Sequence, residues 1–255
     1  MLNTLTLNKK QLFGVDYSIG DYESLGNYIV EAARTHKSIG VSALAVHGLM
    51  EAQQNQEMKN ALNNIDIITP DGQPVRWALN FFHKAKLKDR VYGPKLTWEV
   101  LKKANKHKLR VYLFGSTEET IKGFIKKIKL ELPDLIISGF HVDRFREATE
   151  EEDAQDIEKI NASKPNLVLV GRGCPRQEIW VGNHVGKIFA PLLAVGAAFN
   201  FHAGNLKQAP IFLQNAGLEW AFRLFMEPKR LWKRYLYTNS KFILKTFHKT
   251  IICKK

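Results

Sequence analysis

The chain has 255 residues, 45% of them apolar, enough to bury a sizeable core in one large domain or two small ones. Its two cysteines, Cys174 and Cys253, exclude a disulfide framework, and no CxxC or Cys/His cluster points to zinc, so a reducing compartment and no metal are expected. The net charge of +13 is unevenly placed: residues 205–255 hold eleven Lys/Arg against two Glu, whereas the first 204 residues carry only about +4. Such a tail favours an anionic partner, whether a lipid surface, a nucleic acid or a phosphorylated substrate. The N-terminus lacks a signal-peptide pattern, and no stretch approaches the ~18 apolar residues of a membrane span, so the expected location is the cytoplasm.

In chain order, Leu12-Phe13-Gly14-Val15 reads as a short strand. A helix follows, with Asp21 as cap and Leu25, Tyr28, Ile29, Ala32 and Ala33 at helical spacing. Val41 to Val46 reads as a strand ending at His47-Gly48, with a helix from about Leu49. Ile65 to Ile68 is a second apolar run, and it enters Pro70-Asp71-Gly72, which is turn chemistry, before a helical pattern starts near Pro74. Asp71 therefore stands where a strand stops and a helix begins, the ligand edge of an α/β sheet; the same position also suits a carboxylate that merely orders the turn. Arg90, just before the Gly93-Pro94 turn, either reaches a ligand or is a solvated surface arginine, and a helix spans about Lys95 to Asn105.

The second half repeats strand, glycine turn and helix. Strands are expected at Leu109–Phe114, Asp134–Ser138, Asn166–Val170 and Leu192–Val195. Glycine follows each, at Gly115, Gly139, Gly171 and Gly196. Helices are expected from Glu118, over Thr149–Asn161 with a Thr149/Glu152 capping box, and around Gln177, Glu178 and Trp180. The alternation predicts an α/β fold with a parallel sheet covered by helices on both faces. Glycine at strand ends and helix N-termini suit a phosphate-bearing ligand. No GxGxxG and no GxxxxGK[ST] occurs, so neither the dinucleotide nor the P-loop fingerprint is met.

From Gln208 the strand pattern stops. Pro228 is placed to open a helix, and a last helical pattern runs from Asn239 to Ile252. There Lys241, Lys245 and Lys249 repeat at every fourth residue, with Phe242, Ile243, Phe247 and Ile251 on the other side. A basic amphipathic helix suits a membrane surface; the alternative is a helix packed on its own domain with a solvated basic face. Two further readings stay open on composition: a nucleotide-cofactor-dependent oxidoreductase, which the missing GxGxxG disfavours, and a basic nucleic-acid-binding protein using tail aromatics and cations.

Five segments in series resemble the bacterial WecG/TagA/CpsF glycosyltransferase family. They are Thr69-Pro70-Asp71-Gly72, Arg90-Val91-Tyr92-Gly93, the run from Gly171 to Glu178, the run from Val195 to Asn200, and the tail from Gln208-Ala209-Pro210 through Glu219-Trp220-Ala221-Phe222-Arg223 to Glu227-Pro228-Lys229-Arg230. The resemblance covers about residues 40 to 240. It implies a Rossmann-like core over residues 1–204 and a C-terminal basic helical appendage over 205–255. It also implies a metal-independent, inverting transfer of a hexose from a UDP-sugar to a polyprenyl-diphosphate-linked acceptor, without a cofactor, at the inner face of the cell membrane during surface-polysaccharide synthesis. The partners implied are the donor, the lipid-linked acceptor and an anionic membrane surface, with no nucleic acid and with a homo-oligomer allowed.

Carried over residue by residue, Asp71 matches the general base, which takes the acceptor hydroxyl proton as that oxygen attacks the anomeric carbon. Thr69, Arg90 and Gln177 match polar residues of the same pocket. Arg223, Arg230 and Arg234 match appendage arginines that would neutralise a diphosphate. Gly115, Phe140, Gly173 and Asn200 are the donor-site expectations. The sequence departs from the family at two points. Ala45-Val46-His47 stand where a Thr-x-Asn pattern is common, so His47 either replaces the Asn at the sugar or is itself the base. Asn200 stands where Asp is frequent. Both changes fall at the donor sugar, so a plain hexose such as glucose fits as well as N-acetylmannosamine.

Overall fold

A computed structural model describes residues 7–252, apart from the side chains of Ile211, Asn215, Arg230 and Ile252; Cys253 lies outside it. The strands β1 (Lys9–Leu12) and β2 (Val15–Ser18) form an antiparallel hairpin. Phe13 and Gly14 join them with φ of 48° and 77°, a two-residue turn whose twist suits the flanking strands. The single strand expected at this point is thus a turn between two. Helix α1 (Tyr22–Arg34) starts at a reciprocal cap: the Asp21 carboxylate accepts the Ser24 N–H, and the Ser24 hydroxyl accepts the Asp21 N–H.

Strand β3 (Gly40–Leu44) ends two residues earlier than its sequence suggests, and α2 (Val46–Glu51) begins at once. His47 consequently lies in the first turn of a helix rather than at a strand end. Helix α3 (Gln56–Asn63), absent from the sequence reading, is capped by the Asn55 side chain on the Met58 N–H. Then come β4 (Ile67–Pro70), α4 (Gln73–His83), α5 (Gly93–Lys106), β5 (Arg110–Gly115) and α6 (Glu118–Glu131). Strand β6 (Ile136–His141) runs through Gly139 instead of stopping there. A Cβ on Gly139 would meet the Tyr112 ring at 2.6 Å, so this glycine makes room for a neighbouring ring rather than a turn. The core continues with α7 (Glu150–Ala162), β7 (Leu167–Gly171), α8 (Arg176–His184), β8 (Leu192–Ala194) and α9 (Gly196–Ala203). Three helices follow, α10 (Ile211–Asn215), α11 (Glu219–Met226) and α12 (Pro228–Ile252). The last is one continuous helix where the sequence suggested two, because nothing between Arg234 and Lys241 breaks it.

The fold class is α/β, a six-stranded parallel sheet in the order β4-β3-β8-β7-β5-β6, a separate antiparallel hairpin, and flanking helices. Alternation along the strands divides the core. Tyr112, Phe114, Val168 and Val170 join a cluster with α2, α3, α4, α8 and α12, while Val111, Leu113, Leu167 and Leu169 join one with α1, α5, α6 and α9. Parallel strands place all their carboxyl ends on one edge, and every connection to the next helix passes over that edge.

The tail is held to this body at named points. Phe242 is buried against Phe13, ring centroids 5.9 Å apart, and Leu231 is buried as well. Gly217 has a φ of 73° and sits so close to the Trp77 ring that a Cβ would approach it to 2.8 Å, so only glycine fits there. In the lysine stripe of α12, Lys245 is exposed with its Nζ donating to Gln53 Oε1 at 3.3 Å, Lys249 is half-buried over the Phe13 and Phe82 rings, and Lys241 lies over the Tyr237 ring of its own helix. Ile243, Leu244, Phe247 and Ile251 are exposed as well.

Candidate active site at the carboxyl edge

Five strands each deliver the next residues of the chain to one polar cleft of about 380 Å³. Ala45 and His47 follow β3, Asp71 follows β4, Ser116 and Thr117 follow β5, Arg172 and Gly173 follow β7, and Val195 and Gly196 follow β8. A second, largely apolar groove of about 690 Å³ lies between α4 and the tail helices. The two meet at Ala45, His47, Asp71, Arg223 and Arg234, which line both.

Asp71 keeps a partly exposed edge on these cavities but is otherwise enclosed by protein. Burial pushes its carboxyl up to about 7, against the pull of Arg90 and Arg223 and of the Gly93 N–H, with Glu219 adding to the rise. Near neutrality such a group exchanges a proton readily, as a general base must. His47 responds the other way. Burial and the Arg234 charge hold its imidazole down to about 4, so it is neutral at physiological pH. Its Nδ1 has no hydrogen-bond partner among the described residues.

Arg90 is buried and paired with Glu219 of α11; the guanidinium also lies 4.5 Å from the Tyr92 ring centroid. It borders the apolar groove and not the polar cleft. Gln177 does line the polar cleft, and its amide is engaged by the protein. Oε1 accepts the N–H groups of Gly173 at 3.1 Å and Gly196 at 2.9 Å, and Nε2 donates to Glu178 Oε1 at 2.8 Å. Gln177 thereby ties the β7–α8 and β8–α9 loops together. Glu178 beneath it also accepts from the Ser42 hydroxyl at 3.2 Å, and burial pushes its carboxyl up to about 7.

Of the residues expected from sequence, His47, Asp71, Gln177, Gly173, Asn200, Arg223 and Arg234 come together around the cleft. Three do not. Thr69 is fully buried in β4 with its hydroxyl on the Val91 carbonyl at 3.1 Å. Gly115 packs against Gly171 at the end of β5, behind Ser116 and Thr117. Phe140 belongs to edge strand β6 and lines neither cavity. The side chain of Arg230 lies outside the described residues.

Sequence reasoning missed Ser116, Thr117, Asp143 and Arg172 in the cleft. Ser116 and Thr117 carried a signal, since a Ser-Thr pair after a strand-end glycine is where a helix N-terminus opens. Asp143 gave none: it is buried between Arg172 and Arg176, with the Arg176 Nη2 donating at 2.8 Å, and those partners are remote in sequence. Among the described residues, no group of three or more His, Cys, Asp or Glu side chains is placed to hold a metal ion.

A carboxylate poised near neutrality, ringed by arginines at the ligand edge of a parallel sheet, is the equipment of a group-transfer enzyme acting on phosphorylated substrates. The chain belongs to the WecG/TagA/CpsF glycosyltransferase family, whose model matches residues 10–255, and it is a glycosyltransferase. A relative from Bacillus spizizenii is 34% identical over 188 residues, covering 73% of this chain and 70% of its own. One from Bacillus subtilis is 32% identical, covering 72% and 70%, and one from Staphylococcus aureus is 28% identical, covering 71% and 69%. All three are N-acetylglucosaminyldiphosphoundecaprenol N-acetyl-beta-D-mannosaminyltransferases. The oxidoreductase and nucleic-acid readings are thereby set aside.

The Arg90–Glu219 pair makes the join between tail and core testable. Glu219→Gln strands a buried guanidinium, which should cost about 3–5 kcal/mol and speed proteolysis within α10 and α11. The double variant Arg90→Leu with Glu219→Leu should recover much of that stability in urea unfolding, since no charge is then left unpaired.

Proposed function

We propose that this protein transfers a hexose, with inversion, from a UDP-sugar to a saccharide carried on a polyprenyl diphosphate, in the synthesis of cell-envelope polysaccharide. The observation that carries the reading is Asp71, a carboxylate pushed to about 7 at the junction of a polar cleft and an apolar groove. In this reading the donor lies in the polar cleft, and the acceptor hydroxyl enters beside Asp71. The acceptor oxygen bonds to the anomeric carbon as the bond from that carbon to the UDP oxygen breaks. The hydroxyl proton passes to the Asp71 carboxylate, and UDP leaves with the electron pair. Arg223 and Arg234 neutralise diphosphate charge near the reacting centre, with Arg230 a further candidate from the sequence. The N-terminus of α6 at Ser116 and Thr117 offers N–H groups to phosphate.

Basicity favours Asp71 over His47 as the base, because an imidazole held down to about 4 is a weak proton acceptor at neutral pH. A neutral His47 serves better as a hydrogen-bonding group to the sugar. Gln177 acts by holding the two loops that frame the donor. The core is used as Rossmann-like sheets are, with ligands at the carboxyl ends of the strands.

Residues 205–255 form the appendage in this reading, and it docks on the inner face of the cell membrane. Support comes from the charge of the tail and from the outward stripe of α12, where Leu244 is 67% exposed; Phe225 of α11 is 82% exposed. No described helix is long and apolar enough to cross a membrane. The relatives act on an N-acetylglucosamine diphospho-lipid and transfer N-acetylmannosamine; a comparable acceptor is proposed here, with the donor hexose left between glucose and its 2-acetamido relatives by His47 and Asn200.

Asp71→Asn should lower kcat by about 10²–10⁴-fold while the protein stays folded. In the wild type, activity should rise with pH through about 7, as the Asp71 carboxyl, ordinarily near 3.8, loses its proton. That raised value means the folded state holds a proton the unfolded chain has released, so wild-type stability falls as pH rises from about 4 to about 7. The Asn variant escapes the loss and should melt no lower than wild type at pH 8. Near-normal turnover by Asp71→Asn would remove Asp71 from the chemistry.

Membrane docking is read separately. Leu244→Glu with Phe247→Glu should weaken binding to phosphatidylglycerol vesicles about tenfold or more, because two apolar contacts become charges. Unchanged vesicle binding would rule out the outward stripe as the docking surface.

A further inference from the structure

The apolar groove between α4 and α12 runs straight into the carboxylate. We propose that it seats the first isoprene units of the lipid acceptor, so that the enzyme reads the hydrocarbon stem as well as the diphosphate and the sugar. This rests on the acceptor being a polyprenyl diphosphate.

The clearest support is the pattern along α12. Arg234, Thr238, Phe242, Thr246 and Thr250 all line the groove and recur at every fourth residue. At about 1.5 Å per residue the stripe is about 24 Å long. The cation of the stripe, Arg234, lines the end that the groove shares with the polar cleft, as His47 and Asp71 do, and the four stripe residues beyond it are apolar or made so. The hydroxyl of Thr238 donates to the Arg234 carbonyl, that of Thr246 to the Phe242 carbonyl, and that of Thr250 to the Thr246 carbonyl, at 2.7–2.8 Å. With those hydroxyls satisfied by the helix itself, the threonines offer methyl groups. The facing wall is Trp77, Ala78 and Phe81 of α4. Phe81 and Ile243, on opposite walls, are 64% and 65% exposed and lead out to the surface proposed to meet the membrane.

The volume of about 690 Å³ suits a ligand, and the order of chemistry along it fixes which one. A phosphate ester belongs at Arg223 and Arg234, with its alkyl chain beyond them. Gln73, Asn239 and the mutually paired Arg90 and Glu219 add a few polar groups to the lining, which is otherwise mostly apolar and suits an alkyl chain better than a nucleotide-sugar. A protein helix would need neither an arginine at the inner end nor continuity with the reacting carboxylate.

The test compares two prenyl diphosphates, dimethylallyl with one isoprene unit and farnesyl with three, without vesicles. Wild type should bind farnesyl diphosphate about tenfold or more tightly, since burying two methylene-sized groups is already worth that factor. The same ratio should appear in kcat/KM when the two chains carry N-acetylglucosamine diphosphate as acceptors. Thr246→Trp, which fills the groove, should bring both ratios close to one, and Thr246→Val, which keeps the methyl groups and drops the hydroxyl, should preserve them. Phe81→Ala, at an exposed position that folding tolerates, should lower both ratios if the larger variant fails to fold. Transfer that proceeds equally well with either chain, or a ratio untouched by Thr246→Trp and Phe81→Ala, overturns the groove while leaving the transferase reading intact. Farnesyl discrimination without sugar transfer to either acceptor keeps the groove and defeats that reading.

Discussion

The buried ion pair between Arg90 and Glu219 is the constraint on which the site depends. It joins the loop leading into α5 to the start of α11, across 129 positions of sequence. With that join made, α11 and α12 close over the carboxyl edge of the sheet and bring Arg223 and Arg234 to the rim of the cleft. Burial is the largest cause of the rise of Asp71 to about 7; Glu219 of α11 adds to that rise and Arg223 of the same helix opposes it. The tail is therefore a structural part of the site as well as its neighbour.

The desolvation that raises Asp71 recurs one layer down in Glu178, and the two carboxyls have different surroundings. Glu178 is fixed by Ser42 and Gln177, and through Gln177 it is tied to the N–H groups of Gly173 and Gly196. Asp71 takes the Gly93 N–H and otherwise faces charges and open cavity. Both line the polar cleft, but only Asp71 also lines the apolar groove and lies among the charges of Arg90, Arg223 and Glu219. Both carry a cost in stability, of the kind proteins tolerate at working sites.

Much of this was legible in the sequence, and the limits follow from physics. The run from Ile67 to Arg76 declared its strand, turn and helix because Pro70, Asp71 and Gly72 allow little else. Helix α1 and helix α7 announced their caps. His47 was placed at a strand end because α2 starts at Val46 and not near Leu49, after Ala45, which provides no side-chain cap to mark the boundary. Helix α9 went unread in the sequence because Gly196-Ala197-Ala198-Phe199 lacks an amphipathic rhythm; it is packed between α5 and α6, and Ala198, Phe199 and Phe201 are buried. The lysine stripe of α12 suggested a basic outer face, and Lys245 is exposed there, whereas Lys249 is half-buried over Phe13 and Phe82 with its long stem available for packing. Contacts between distant positions, such as Asp143 with Arg172 and Arg176, leave no local trace and were visible only in the fold.

The central claim is sugar transfer by direct displacement at an edge shared by a nucleotide cleft and a lipid groove. The most direct measurement offers UDP-glucose, UDP-N-acetylglucosamine and UDP-N-acetylmannosamine in turn to the full chain with an N-acetylglucosaminyl diphospholipid in vesicles. Released UDP, the product mass and the one-bond carbon–proton coupling at the new anomeric centre are then read together. The account predicts that one donor releases UDP, that the lipid gains a single sugar residue, and that the new linkage has the opposite anomeric configuration to the donor. Release of UDP from none of them, or a product that retains the donor configuration, would contradict it.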